Sequence, residues 1–341
     1  MTQTLASASD TTPAGPLGSS RLRRILRNVA IVSCAPYLSL KVAWIAGSHL
    51  GIPQGSSLLE HRTGMAVANG ITVLMDGAVI VIALLLTRSW GLRVPAWLPA
   101  VPMWVATGLL APIMTGFPLQ ILVKALGGSG SKALESGREP FLDAWVFGVV
   151  YTGFIVQGLA LGTLFVLYAR DRWGHLWRGR VWELPVSRVG AAQRATAVAA
   201  AVLALVPLTT HLLWACGGTA GLSTGRVADR TGDFYVLEAM DVVFLVSTVA
   251  GAWMLAFRRG RALPVMAPLA LAWIGSGAVA CWGGWLSLAS LGGVDDIAER
   301  PTELMNLTYA VHMIVGMLVV TLGAHFFAER TAAARPPRRT A

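Results

Sequence analysis

Eight long apolar runs constrain the fold of this chain more than any other feature. They cover roughly residues 28–47, 65–86, 97–123, 143–169, 195–216, 235–257, 264–291 and 306–328. A transmembrane helix needs about 20 mostly apolar residues to cross the hydrocarbon layer. A chain with 55% hydrophobic and only 13% charged residues exposes too much apolar surface for a soluble globule. We therefore predict an all-α membrane protein with eight transmembrane helices.

The positive charges are divided unevenly between the two sides of this predicted bundle. The chain has a net charge of +10, and 19 of its 27 lysines and arginines fall in segments on one side: 1–27, 88–94, 170–194, 258–261 and 329–341. Cytoplasmic loops carry the excess of basic residues, so both termini are predicted to be cytoplasmic. The basic balance then reflects topology and contact with anionic lipid headgroups, and no nucleic-acid partner is predicted.

The N-terminal tail and the choice of basic residues indicate where the chain resides. Residues 1–20 are rich in Ser, Thr, Ala and Gly, which is typical of disorder. No A-x-A-like site follows the first apolar run, so a cleaved signal peptide is not expected. Only three of the 27 basic residues are lysine, a skew typical of GC-rich bacterial genomes. These features predict a multi-pass protein of a bacterial plasma (inner) membrane.

Four sequence landmarks recur in the same order in the two halves of the chain. PYLSLKVAWIAG (36–47) matches PLTTHLLWACGG (207–218), VLMDGAVIV (73–81) matches LEAMDVVFLV (237–246), PAVPMWVATG (99–108) matches PLALAWIGSG (268–277), and YTGFIVQG (151–158) matches YAVHMIVG (309–316). An even number of spans per repeat makes both halves enter from the same side. The sequence therefore predicts two parallel four-helix repeats related by an axis along the membrane normal.

This duplication defines the predicted domain organisation. A disordered basic tail (1–27) precedes the first four-helix repeat (28–169). A cytoplasmic basic linker (170–194) joins it to the second repeat (195–328), and a basic tail (329–341) follows.

Ionisable residues inside the spans are the candidate functional groups. A charge at the centre of the bilayer costs at least about 2.5–3.5 kcal/mol, so such a residue normally faces a partner or a cavity. Spans joined by short loops are neighbours, which predicts that Lys41 pairs with Asp76 and that His211 pairs with Asp241. Glu238 lies three residues before Asp241, on the same helical face, where the two carboxylates can share a proton or a cation.

Three interpretations of these groups stay open at this point, and one of them is a neutral carboxyl group that faces lipid. Buried ion pairs that fix helix register explain the pairings but not the doubled carboxylate. A polar cavity open to the outer side explains both, with Asp241 and Glu238 binding a proton or cation and His211 relaying or gating. Lys41 and Asp76, in the first half, fit the structural role better, since lysine carries a permanent charge.

A second histidine and three cysteines raise the question of a bound group. His211 and His312 are expected at one depth on different helices, the arrangement that a bis-imidazole haem needs, although an interior hydrogen-bonded role is commoner. No C-x-x-C, H-E-x-x-H or P-loop pattern occurs. We predict no cofactor and no metal site. A disulfide between Cys216 and Cys281, both near outer span ends, is left open.

Three functions are compatible with this pattern. The first is a transporter or permease with an outer-facing intramembrane polar cavity lined by acidic residues and histidine. The second is a membrane-embedded enzyme that acts on a lipid or isoprenoid-like substrate, with Asp241 or Glu238 as general acid. The third is a non-catalytic membrane subunit or sensor. Membrane lipid is a predicted partner, a small molecule or ion is the expected substrate, and a homo-oligomer or partner subunit stays open.

Overall fold

The computed structural model describes residues 17–54, 56, 62–127, 142–184, 190–291, 298 and 300–333. This part of the chain forms ten α-helices: α1 (Leu17–Val32), α2 (Ala35–Ile45), α3 (Arg62–Thr87), α4 (Trp97–Ala125), α5 (Ala144–Trp173), α6 (Gly190–Ala215), α7 (Thr224–Ala228), α8 (Gly232–Phe257), α9 (Met266–Leu291) and α10 (Glu303–Ala333). Eight helical segments are long and apolar enough to cross a membrane, with α1 and α2 together forming the first. The predicted all-helical class and the eight spans are confirmed.

The first span is broken, although the apolar run predicts one continuous helix. α1 ends at Val32 and α2 begins at Ala35. Pro36, in the first turn of α2, has no N–H to bond the carbonyl of Val32. The chain therefore starts a new helix at this proline.

Helices α6, α8, α9 and α10 pack together into one bundle with an aliphatic core. Two glycines set how closely these helices approach. A Cβ on Gly275 of α9 would lie 2.6 Å from Thr248 Oγ1 of α8, and one on Gly316 of α10 would lie 2.6 Å from Ser276 O of α9. Small residues at such crossings let membrane helices pack backbone to backbone.

The earlier helices form a second group around a separate core. α1, α3, α4 and α5 contact one another, and their buried residues include Leu161, Leu164 and Tyr168 of α5. Tyr168 donates from its hydroxyl to the carbonyl of Gly91 at 2.7 Å, which ties α5 to the turn between α3 and α4.

Helix α4 of the first group packs directly against α9 of the second. Gly108 and Gly277 face each other there, and a Cβ on Gly277 would lie 3.1 Å from the Gly108 Cα. The Trp104 indole donates to Ser276 Oγ at 3.0 Å. The Trp273 indole donates in the other direction, to Thr107 Oγ1 at 3.4 Å. The two groups of helices are therefore in close backbone contact where α4 crosses α9.

Several predictions concern segments that lie outside the described residues. They include most of both terminal tails and residues 185–189 of the 170–194 linker.

Candidate functional site

Four of the six predicted site residues meet within the second bundle. α6 contributes His211, α8 contributes Glu238 and Asp241, and α10 contributes His312. His211, Glu238 and His312 are almost completely buried. The first half contributes nothing to this group. Lys41 and Asp76 lie on α2 and α3, so the six residues divide into two separate sets.

His211 is the centre of the larger set. Its Nδ1 lies 2.5 Å from Glu238 Oε2, in a buried hydrogen bond, and 3.8 Å from Asp241 Oδ2. The expected partner was Asp241, and the nearer partner proves to be Glu238. Both carboxylates face the same ring nitrogen because the spacing of three residues puts them one helical turn apart on α8. A proton or cation at this point would contact all three side chains.

His312 lies against His211 in a stacked arrangement. Their ring centroids are 4.8 Å apart and the ring planes are inclined by 29°. A bis-imidazole haem requires the two rings to approach the iron end-on from opposite faces of the macrocycle. Rings stacked face to face at this distance leave no room for a macrocycle between them, so the haem alternative does not fit this geometry.

Asp241 is the exposed member of the set. Its side chain is 38% accessible, whereas the Glu238 side chain is 10% accessible. Three charged or ionisable residues, His211, Glu238 and Arg226, lie near its carboxylate. Asp241 is therefore the member of the set that can exchange a proton or ion with the surroundings.

An apolar groove lies between α6 and α8, next to this set along the two helices. It has a volume of about 410 Å³, and its lining includes Leu208, Leu245 and Trp253. Leu208 is one turn before His211 on α6, and Leu245 is one turn after Asp241 on α8. The polar set therefore lies at the end of a groove that suits an acyl or isoprenoid chain.

A further charged residue approaches the set from the connection between α6 and α8. Arg226 lies on the short helix α7, near Asp241 and facing the hydroxyl of the buried Tyr309. The connection is held in place by hydrogen bonds from the Trp214 indole to Ala220 O (3.0 Å) and from the Gly225 N–H to Ala298 O (2.9 Å). Sequence reasoning missed Arg226, because its position in the loop gives no sign that α7 folds over the bundle.

Lys41 and Asp76 form no direct ion pair, although their charges interact at longer range. The Lys41 ammonium donates to Asn69 Oδ1 at 2.7 Å, and it lies over the rings of Tyr37 and Trp44 at 4.9 and 5.2 Å from their centroids. Asn69 is seven residues from Asp76 on α3, which is about 10.5 Å along the helix axis. The direct contacts of the Lys41 ammonium are therefore an amide oxygen and two aromatic faces.

Asp76 has a different neighbour. Its carboxylate faces the Gln157 side chain of α5, and its Oδ2 is buried without a hydrogen-bond partner. Asp76 is 4% exposed, so it is sealed from the surroundings where its sequence counterpart Asp241 is open.

The three cysteines are unbonded. Cys216 is exposed, Cys34 is buried, and Cys281 lies partly buried with its Sγ near the Val105 carbonyl of α4. The disulfide left open between Cys216 and Cys281 is not formed.

Comparison with known proteins adds no relative to this description. No family model, no curated protein and no solved structure matches the chain. The functional argument therefore depends on the geometry of the site alone.

Proposed function

We propose that this protein is a proton- or cation-coupled transporter of a bacterial plasma membrane. The observation that carries the proposal is the short His211–Glu238 hydrogen bond with the open carboxylate of Asp241 beside it. Buried ionisable groups within spans are costly and usually mark ion pathways or proton relays. Three such groups on two adjacent helices form a site whose charge changes when one proton or cation enters or leaves.

That change in charge supplies a coupling mechanism. With a proton or cation bound, the two carboxylates and His211 are compensated and α6 can pack closely on α8. When the ion leaves, Glu238 and Asp241 repel each other, which favours separation of the two helices. Asp241 is the exchanging carboxylate in this scheme, and the Glu238–His211 pair holds the charge within the bundle.

The proposal includes the two parallel repeats, 28–169 and 195–328. In the matched segments 99–108 and 268–277, Trp104 corresponds to Trp273, and Thr107 corresponds to Ser276. Each tryptophan donates to the residue three positions after the other tryptophan, Trp104 to Ser276 and Trp273 to Thr107, and Gly108 faces its own counterpart, Gly277. Reciprocal contacts of this kind are expected where a two-fold axis crosses an interface, which supports a pseudo-two-fold relation between the halves.

The proposed topology places both termini and the 170–194 linker in the cytoplasm. A pocket of about 580 Å³ beside that linker is lined by Trp182 and by Arg258, Arg259 and Arg261. Arginines with an aromatic residue at a span end suit the headgroups of anionic lipids of the cytoplasmic leaflet. This pocket supports the assignment of that side as the inner one and of membrane lipid as a partner.

Each chain carries one site under this proposal. The first half has Lys41 where the second has His211, and Phe154 where the second has His312. Asp76 is the remaining counterpart, and it is closed off. The halves therefore provide one ion-binding bundle and one bundle that serves as its scaffold.

Solid-supported-membrane electrophysiology tests this function without knowledge of the substrate. Purified protein in proteoliposomes is given a rapid pH step or a step in Na⁺ or K⁺ concentration, and the transient current of ion binding is recorded. We expect a current from the wild type and from Asp76→Asn, and none from Asp241→Asn. A wild type without any current, or Asp241→Asn with the full current, would overturn the proposal.

The α6–α8 groove favours a second candidate function, catalysis on a lipid or isoprenoid-like substrate. A hydrocarbon chain along Leu208 and Leu245 would bring its polar end to Asp241 and His211, where the carboxyl can act as general acid. Incubation with labelled membrane lipid extract and no ion gradient tests it by mass spectrometry. Turnover that Asp241→Asn abolishes supports the enzyme, and its absence in active, current-producing protein excludes it.

A further inference from the structure

We propose that His211, Glu238, Asp241 and His312 bind one divalent transition-metal ion of the Zn²⁺ class. The proposal names the cation of the proposed transport function and rests on that function for its role. Among the described residues, His211, Glu238 and Asp241 form a group whose ligand atoms all lie within 4.8 Å of one another. His312 is the additional nitrogen ligand next to them.

The distances suit an ion after a small movement. Zn²⁺ binds imidazole nitrogen at about 2.0–2.1 Å and carboxylate oxygen at about 2.0–2.2 Å, so tetrahedral ligand atoms lie about 3.4 Å apart. The separation from His211 Nδ1 is 3.8 Å to Asp241 Oδ2 and 2.5 Å to Glu238 Oε2. The ion would replace the His211–Glu238 hydrogen bond, which widens that separation by about 1 Å, and it would draw together ligand atoms that now lie up to 4.8 Å apart.

A buried nitrogen next to this group provides a second reason to expect a ligand. The Nε2 atom of His312 is buried without a hydrogen-bond partner. Buried polar atoms in proteins are nearly always satisfied, and an unpaired one calls for an explanation such as an ion. The His312 ring is stacked on the His211 ring at 4.8 Å between centroids, so His312 would reach an ion on His211 Nδ1 by a movement of its own side chain.

The charges and the ligand types select the class of ion. Glu238 and Asp241 together carry two negative charges when ionised, which a divalent cation neutralises inside the hydrocarbon layer. Mg²⁺ and Ca²⁺ prefer all-oxygen sites, whereas imidazole combined with carboxylate suits Zn²⁺ and its neighbours. The exposed Asp241 provides the entry point, and Tyr309 and Arg226 lie outside the ligand set.

The first half of the chain provides a matched control. At the positions that correspond to His211 and His312 it has Lys41 and Phe154, and Val73 corresponds to Glu238. Asp76 is a buried intramembrane carboxylate like the proposed ligand Asp241, and it lacks the companion ligands. Its substitution therefore controls for the loss of a buried carboxylate as such.

Cobalt titration of the full-length protein in lipid nanodiscs tests the site directly. The protein is freed of any histidine tag, stripped with EDTA and titrated with Co²⁺, whose visible absorption reports tetrahedral ligation by imidazole and carboxylate. We expect one Co²⁺ per chain, displaced by one Zn²⁺, in the wild type and in Asp76→Asn. We expect at least tenfold weaker binding in Glu238→Gln, Asp241→Asn and His312→Gln, each checked for folding by size exclusion.

The outcomes separate the two proposals. A folded wild type without Co²⁺ or Zn²⁺ binding, or with binding unchanged in Asp241→Asn and Glu238→Gln, overturns the metal site. If the pH-step current still depends on Asp241 in that case, the transport proposal stands with the proton as its ion. Stoichiometric metal binding without any transient current upholds the metal site and overturns the transport proposal.

Discussion

Glu238 Oε2 lies 2.5 Å from His211 Nδ1, deep between α6 and α8. Hydrogen bonds that involve a charged group contribute about 1.5–3 kcal/mol in soluble proteins, and those between membrane helices contribute about 0.6 kcal/mol on average. We expect the buried pair to fall between these values, with a coupling energy of about 1–2 kcal/mol. A double-mutant cycle of His211→Gln and Glu238→Gln, followed by SDS unfolding, measures it. Additivity of the two single changes within about 0.3 kcal/mol would contradict a direct interaction.

Asp76 and Lys41 should respond to substitution in opposite ways. Asp76→Asn removes a buried charge whose Oδ2 has no partner, and the amide can keep its contact with Gln157. We expect the free energy of unfolding to stay within about 0.5 kcal/mol of the wild type or to rise. Lys41→Met leaves the Asn69 carbonyl oxygen buried without its donor and should cost about 1–3 kcal/mol. Thermal melts in detergent compare the two, and a greater loss in Asp76→Asn argues for an ion pair between them.

The close approach of Gly108 and Gly277 predicts that α4 and α9 tolerate no added side chain there. Gly277→Val would place carbon atoms about 3.1 Å or less from Gly108 and from the Trp104 carbonyl, and overpacking of this kind costs about 1–3 kcal/mol. Gly162→Val on α5 is the matched control, because nothing lies within 4 Å of its Cβ position. Unfolding in SDS should show a loss for Gly277→Val alone. Equal losses in both variants would mean that helix propensity, rather than the interface, decides the effect.

The proposed orientation predicts which cysteines a membrane-impermeant maleimide reaches. Cys216 is exposed at the end of α6 that we assign to the outer side, so intact cells should show labelling there. Arg261→Cys, in a chain with Cys34 and Cys216 changed to alanine, should be labelled only after the membrane is permeabilised. The reverse pattern would invert the topology and place both termini outside.

The number of spans could be predicted because a helix that crosses the lipid must consist mostly of apolar residues, and such runs can be read directly from the sequence. The contacts between helices could not be predicted in the same way. They depend on how far each side chain extends and on its depth in the membrane, and apolar runs indicate neither. Lys41 donates to Asn69, which lies two turns from Asp76 on α3. The first apolar run is continuous in hydropathy, but it forms two helices that meet near Pro36. His211, Glu238 and Asp241 were grouped correctly because a three-residue spacing and a short connection bring them together in any such bundle. Arg226 was missed because its approach depends on the path of a loop.

Asp241 is the accessible, exchangeable carboxylate in the proposed mechanism, whereas its counterpart Asp76 is buried. A hydrophobic carbodiimide reacts with protonated carboxyl groups that it can reach from the membrane, and peptide mass spectrometry locates the adduct. We expect an adduct on Asp241, formed more slowly when Zn²⁺ or another bound cation is present, and none on Asp76. An adduct on Asp76 with Asp241 unmodified would show that the two carboxylates have the opposite roles.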